Sequence, residues 1–275
     1  MHETTTPPIP RWRMITFWVL MVVLLVLYLG DRPQQLTFIV TAFGGFPAGA
    51  GATHEMHWFA QGVLAWVIVA AIGIQLRRPA TQIGAAWVYG LGLVLAFSMV
   101  LALADLPAEV VPIVAAAVVV AVLGFVAHPS SWRARVTSVA PPSRALFLLV
   151  ALAAVPLVIY AVGQLDIHTS SGPHDEHFEF GHWVVMAAYT LLVPLYGAVA
   201  AWKVAGWRFP LWVTGLMPAA LGIGSLGITA VSQLTTGWSL LAIAWGAAFI
   251  GVGELEARQH EPASPPAPAR PSVAS

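Results

Sequence analysis

Residues 209–253 read FPLWVTGLMPAALGIGSLGITAVSQLTTGWSLLAIAWGAAFIGVG and contain no charged side chain over 45 residues. A membrane span takes about 20 apolar residues, so a run of this length accommodates two spans and their connection. The polar segment SQLTTG at 232–237 supplies the turn. This stretch therefore predicts a hairpin of two membrane helices.

The whole chain has the composition of a membrane protein. Of its 275 residues, 59% are hydrophobic and 9% are charged, whereas a soluble domain carries roughly 25% charged residues. The formal net charge is zero, which argues against a nucleic-acid partner. Cysteine is absent, which excludes disulfides and thiolate metal sites. We expect an all-α polytopic membrane protein whose main partner is the lipid bilayer.

Eight apolar runs are long enough to cross a bilayer, which predicts eight transmembrane helices. Their approximate bounds are 14–30, 57–76, 82–104, 110–127, 145–164, 181–202, 209–231 and 237–253. The first run follows Arg11 and Arg13 as a signal peptide would, but it ends in LYLGDR without a small-residue cleavage site. We interpret it as a retained span.

The distribution of charge predicts the orientation in the plasma membrane. With the N-terminus inside, eleven of the twelve basic residues lie on the cytoplasmic side, and Arg32 alone lies outside. Eight of the twelve acidic residues lie outside. Because basic residues are retained in cytoplasmic loops, we expect both termini of this multi-pass protein to be cytoplasmic.

A shift of 125 residues aligns the chain with itself across three spans without a gap. The shift places the HW of residues 57–58 on the HW of residues 182–183, and Gly90 on Gly215. It predicts a 4+4 pseudo-symmetric bundle whose halves have the same, parallel orientation. The expected segments are a cytoplasmic tail at 1–13, a first half at 14–128, a cytoplasmic linker at 129–143, a second half at 144–253, and a disordered Pro/Ala-rich cytoplasmic tail at 254–275.

The stretch THEMHWFAQG at 53–62 opens the second span with two histidines three residues apart. Residues at i and i+3 share one helix face, and such pairs carry metal ligands in helical bundles. In the 125-residue register His54 and His57 fall on Glu179 and His182, so the pairs would face each other. We predict that these four residues bind a transition metal at the extracytoplasmic face. Zinc, iron, manganese and copper are all compatible with them.

Other polar residues surround the predicted ligands. The second outer loop supplies secondary candidate ligands, which are His174, Asp175, Glu176 and His177. Gln61 and Met186 continue the two ligand faces one turn deeper, with Tyr189 beyond, and we expect these three to support the ligands. His168 lies early in the loop, where we expect it to be solvated.

Two interpretations compete with this ligand set. An alternative register places His54 and His57 on His174 and His177, but it loses the match between the tryptophans. The histidines could also be solvated surface groups, or handle protons without a metal. The tryptophans, Trp183 among them, mostly lie near predicted span ends, which is typical of interfacial anchoring.

The pattern favours a membrane metalloenzyme or metal-binding protein that meets its metal or small-molecule ligand on the extracytoplasmic side. A haem-binding electron-transfer protein is an alternative, since His57 and His182 could be the axial ligands of a haem b. A transporter would need ionisable groups near the bilayer midplane, and none lies between the outer histidines and the inner arginines. A pH- or metal-sensing module is the third alternative. Each of these is compatible with a homo-oligomer.

Overall fold

A computed structural model shows the protein as a bundle of α-helices. It describes residues 10–30, 52–171, 176–228, 230 and 232–259. The helices in these residues are α1 Arg11–Gly30, α2 Ala52–Arg77, α3 Ile83–Leu103, α4 Val111–Ala127, α5 Trp132–Val136, α6 Arg144–Ser171, α7 Glu176–Glu179, α8 His182–Trp202, α9 Arg208–Gly227 and α10 Thr236–Gln259.

Seven of the described helices are long and apolar enough to cross a membrane, namely α1, α2, α3, α6, α8, α9 and α10. α4 is equally apolar but has 17 residues. Large apolar side chains such as Ile159 and Leu240 are exposed on the outer helix faces, as expected where lipid is the solvent. The structure therefore indicates a polytopic helical membrane protein, and the count of eight spans stays a prediction.

Eight of the ten described helices form two groups of four. In the first group, α1 and α3 each contact α2 and α4. In the second group, α6 and α9 each contact α8 and α10. The two groups meet through α2 and α3 on one side and α8 and α9 on the other. These four helices therefore occupy the centre of the molecule.

The hairpin predicted from the uncharged run at 209–253 is α9 and α10, which pack closely through glycine. A Cβ atom on Gly246 of α10 would collide with the carbonyl oxygen of Gly215 on α9. A Cβ on Gly222 would lie 2.5 Å from the carbonyl oxygen of Ser239. Small residues of this kind let membrane helices approach each other with their backbones in contact.

α6 differs most from its expected bounds, because it continues to Ser171 instead of ending near residue 164. In its polar last turn, the serine hydroxyl groups donate hydrogen bonds to backbone carbonyl oxygens of the same helix. Ser170 Oγ donates to the carbonyl oxygen of Asp166 at 2.9 Å, and Ser171 Oγ donates to that of Ile167 at 2.7 Å. The extension places His168 on a helix, whereas the sequence suggested a loop.

A buried histidine joins the helix ends that lie remote from His57. His128, one residue beyond α4, has its Nε2 3.0 Å from Gln75 Oε1, and its Nδ1 accepts the backbone N–H of Ser130 at 3.1 Å. This pattern fits a neutral imidazole with its proton on Nε2. Burial, and then the positive charges of Arg135 and Arg13, lower the pKa of His128 to about 4.

An ion pair ties the second group together at the same end. Lys203, 3% exposed, lies with its Nζ 2.7 Å from Glu256 Oε2. Ser143 Oγ donates to the other carboxylate oxygen of Glu256 at 2.6 Å. The contacts link the end of α8, the start of α6 and the end of α10, so they hold the helices of the second group in register.

Candidate metal centre

Three histidines come together where α2, α7 and α8 meet. His57, His177 and His182 each offer one ring nitrogen, and these nitrogens all lie within 4.8 Å of one another. All three side chains are buried. Within the described part of the chain, no other group of histidine or carboxylate side chains has this spacing.

The three imidazole rings form a nearly equilateral triangle. Ring centroids are 5.5 Å apart for His57 and His177, 5.8 Å for His57 and His182, and 5.5 Å for His177 and His182. In a tetrahedral site with metal–nitrogen bonds of about 2.0–2.1 Å, ligand nitrogens lie about 3.3 Å apart. Nitrogens within 4.8 Å therefore need to approach by no more than about 1.5 Å. The three side chains could hold one metal ion.

The turn between α7 and α8 sets the relation between two of these histidines. Gly181 lies in the left-handed region with φ 62°, and a Cβ there would lie 2.7 Å from the Cβ of Ala104. Glycine adopts this conformation without strain, and a side chain does not. His182 is the next residue and opens α8, while His177 lies on α7 before the turn. The left-handed glycine thus brings His177 back beside His182.

Aromatic rings pack around the histidines. The ring of Trp183 meets that of His57 edge-on at 4.2 Å and stacks with that of His177 at 5.4 Å. Phe180 stacks with His182 at 6.1 Å. Trp183 is 4% exposed, and its indole N–H makes no hydrogen bond to the described residues. The interpretation of Trp183 as an interfacial anchor is wrong, although its place in the repeated HW pair could have indicated a site role.

Other members of the predicted ligand set are placed differently. Glu179 ends α7 and is half-buried, and its carboxylate does not belong to the three-histidine group in the described structure. His54 lies in α2, but its side chain is outside the described residues, as is that of Glu176. His174 and Asp175 lie wholly outside them. The metal-binding roles of these five residues stay predictions.

The residues expected to support the ligands lie deeper in the bundle. Met186 and Tyr189 are buried on α8. The Tyr189 hydroxyl donates to the carbonyl oxygen of Met217 on α9 at 2.7 Å. This bond fastens α8 to α9 below His182. Gln61 lines a cavity beside the histidines.

His168 is the residue that sequence reasoning misplaced. It is 2% exposed, its Nε2–H donates to the carbonyl oxygen of Leu103 at 2.8 Å, and its ring stacks on Phe178 at 4.5 Å. The expectation of a solvated loop residue is wrong, because α6 continues through this position. Phe178 is the neighbour of His177 on α7, so His168 holds α7 against the end of α3.

A cavity of about 110 Å³ lies next to the histidines, and most of its lining residues belong to the first helix group. Gln61 forms part of its wall, on the α2 face that carries His57 one turn away. Phe180 also lines the cavity while stacking with His182. The cavity and the histidines therefore share a wall.

The ligand set indicates what such a centre could do. Neutral imidazoles suit zinc, copper, iron and nickel. Three protein ligands leave a fourth position for water or a substrate, as in catalytic zinc sites, whereas structural sites are closed by four.

In comparisons with known proteins, no family model, no curated protein and no solved structure matches this chain.

Proposed function

We propose that this protein is a polytopic membrane metalloprotein that binds one transition-metal ion through His57, His177 and His182. The observation that carries the proposal is the convergence of three buried ring nitrogens within 4.8 Å from three separate helices. Ligands held by packed helices are pre-organised, which strengthens binding. His54 and Glu179, from the predicted set, are the candidates for a further ligand.

A single ion suits this geometry better than a haem. The His57 and His182 rings are 5.8 Å apart, and His177 is 5.5 Å from each. Because the His177 ring is equally far from the His57 and His182 rings, it lies in the plane that a haem macrocycle between those two rings would occupy. His177 would therefore have to leave before His57 and His182 could serve as axial ligands.

If the three histidines are the only protein ligands, the fourth position favours a catalytic or exchangeable metal over a purely structural one. An ion held by three imidazoles can polarise a substrate oxygen or lower the pKa of a bound water. The surrounding rings of Trp183 and Phe180 make the site apolar, which strengthens electrostatic effects on a bound group. We infer a metalloenzyme type of centre.

We also infer a 4+4 internal repeat with eight spans. The 125-residue shift carries the last residue of α2 onto the last residue of α8. It also carries the first residues of α3 and α4 onto the first residues of α9 and α10. This agreement of helix bounds supports α4 as the counterpart of α10, and thus as an eighth span.

Packing between the helices follows the same shift. A Cβ on Gly90 of α3 would meet the ring of Phe125 on α4 at 3.3 Å. At the equivalent place in the second group, a Cβ on Gly215 of α9 would meet Ile250 on α10 at 2.5 Å. Gly215 and Ile250 each lie 125 residues after their counterparts, Gly90 and Phe125. This correspondence supports an origin by duplication.

The orientation is inferred from charge. The basic side chains of the described part lie at or beyond the helix ends remote from His57, where Arg13 bonds the carbonyl oxygen of His128 and Lys203 pairs with Glu256. The preference of basic residues for the cytoplasm places the metal centre on the extracytoplasmic face of the plasma membrane, with both termini inside. The ion or substrate would then arrive from outside.

Metal analysis of the purified full-length protein tests the proposal. We expect one equivalent of a transition metal per chain, and its loss when His57, His177 or His182 is replaced by alanine. His260→Ala, in the C-terminal segment, is the control that keeps the metal. An intense Soret band would indicate that the cofactor is a haem and not a single ion. Wild-type protein that contains neither would contradict the proposal.

A further inference from the structure

The cavity beside the histidines is lined by a polar side chain that makes no hydrogen bond to the described residues. Gln61 is 9% exposed and lines the cavity, and its amide makes no hydrogen bond to any described residue. An amide that lines a largely apolar cavity without a protein partner usually meets a water or a ligand there. Gln61 therefore marks a place where a polar atom of another molecule would be stabilised.

A second polar group lines the same cavity. Tyr28 of α1 is 8% exposed, its ring stacks on Phe97 at 6.0 Å, and its hydroxyl makes no hydrogen bond within the described chain. Both an amide and a phenol can donate and accept hydrogen bonds. Tyr28 and Gln61 can therefore bind a neutral hydroxyl or carbonyl oxygen. Neither residue carries a charge.

The rest of the cavity wall is apolar, and it includes a side chain that is also exposed on the outside of the bundle. Leu27 of α1 and Ile113 of α4 both line the cavity, and Ile113 is 37% exposed. α4 begins only at Val111. α4 is an apolar helix of the bundle. A route to the cavity beside Ile113 would therefore admit a lipid-soluble molecule from the bilayer.

We propose that this cavity binds an apolar, bilayer-soluble molecule with one hydroxyl or carbonyl group, which Gln61 binds through a hydrogen bond. A cavity of about 150 Å³ holds a benzene ring, so 110 Å³ accommodates the oxygen-bearing end of a chain. The remainder would extend between α1 and α4. Because Gln61 and Phe180 join the cavity to the histidines, this molecule is the substrate of the metal centre, an assignment that rests on the proposed function.

A photoreactive long-chain primary alcohol, with a diazirine in its chain, tests the binding directly. Wild-type protein in detergent is irradiated with the probe, and the labelled peptides are identified by mass spectrometry. Labelling is expected on α1 and α4, around Leu27 and Ile113. 1-Octanol should compete roughly three- to tenfold better than n-octane, the ratio expected for one hydrogen bond. Equal competition by the two, or labelling spread over all helices, overturns the proposal.

Variants separate the hydrogen bond from the cavity. Gln61→Leu keeps the size of the side chain and should abolish the preference for octanol over octane. Gln164→Leu is the matched control, because Gln164 is a buried glutamine of α6 that does not line the cavity. It should retain the preference. Ala117→Phe fills the cavity and should remove labelling of α1 and α4.

Metal content distinguishes failure of this proposal from failure of the proposed function. Gln61→Leu should retain the ion, whereas His57→Ala should lose it and still bind the alcohol probe. If wild-type protein holds no metal but shows octanol-selective labelling, the cavity assignment stands and the metal centre is wrong. If the metal is present and the labelling is not selective, the cavity assignment is wrong.

Discussion

Replacing His168 by alanine should weaken metal binding, although this residue is not among the three histidines. His168 donates to the carbonyl oxygen of Leu103 and stacks on Phe178, the neighbour of His177 on α7. Removing the donor takes away one hydrogen bond to the end of α3, which is worth about 0.5–1.5 kcal/mol. Losing the ring contact costs about 0.5–1.5 kcal/mol more.

The expected effect on affinity follows from these costs. If about 2 kcal/mol is lost from the docking of α7, the fraction of protein with His177 in place falls by up to roughly 30-fold, and apparent metal affinity falls with it. Effects of 10- to 100-fold are typical when a residue behind a metal ligand is removed. Competition with a chelator of known affinity measures the change.

A second variant separates the two contributions. His168→Phe keeps a ring that can stack on Phe178 and removes the donor to Leu103, so its affinity should lie between those of wild type and His168→Ala. Thermal unfolding, measured in parallel, shows whether the bundle itself is intact. Metal affinity within twofold of wild type for His168→Ala would refute the reasoning that His168 positions α7.

Three further substitutions test other parts of the structure. Gly181→Ala puts a side chain at φ 62°, 2.7 Å from the Cβ of Ala104, and should cost about 1–2 kcal/mol in stability, with weaker metal binding measured by chelator competition. Gly246→Ala should lower the unfolding temperature by an amount equivalent to about 1–3 kcal/mol, because its Cβ collides with α9, whereas Gly251→Ala, whose Cβ meets nothing within 4 Å, should not. His128 has a pKa of about 4 when folded and about 6.5 when unfolded. Its contribution to stability is present above pH 6.5 and is lost as the pH falls towards 4, on the order of 3 kcal/mol in all. Unfolding curves from pH 4 to 8 should show this dependence in wild type and not in His128→Gln, and identical curves would exclude it.

The membrane helices could be predicted from the sequence because their formation depends on local composition. In lipid, backbone groups must be satisfied within the segment, so a long apolar run without charge becomes a helix. The run at 209–253 accordingly forms α9 and α10, with the turn in the polar segment between them. The end of α6 was less predictable, because polar residues near a span end can remain helical when they bond to their own backbone.

The site was predictable only in part. His57 and His182 could be paired from the sequence because they occupy equivalent positions 125 residues apart, and the structure places their rings 5.8 Å apart. The approach of His177 depends on the left-handed turn at Gly181, and the placement of α7 depends on His168. Neither relation has a periodic pattern in the chain. Apolar periodicity determines which segments become helices, whereas contacts between distant segments decide which side chains meet, and only tertiary packing specifies those contacts.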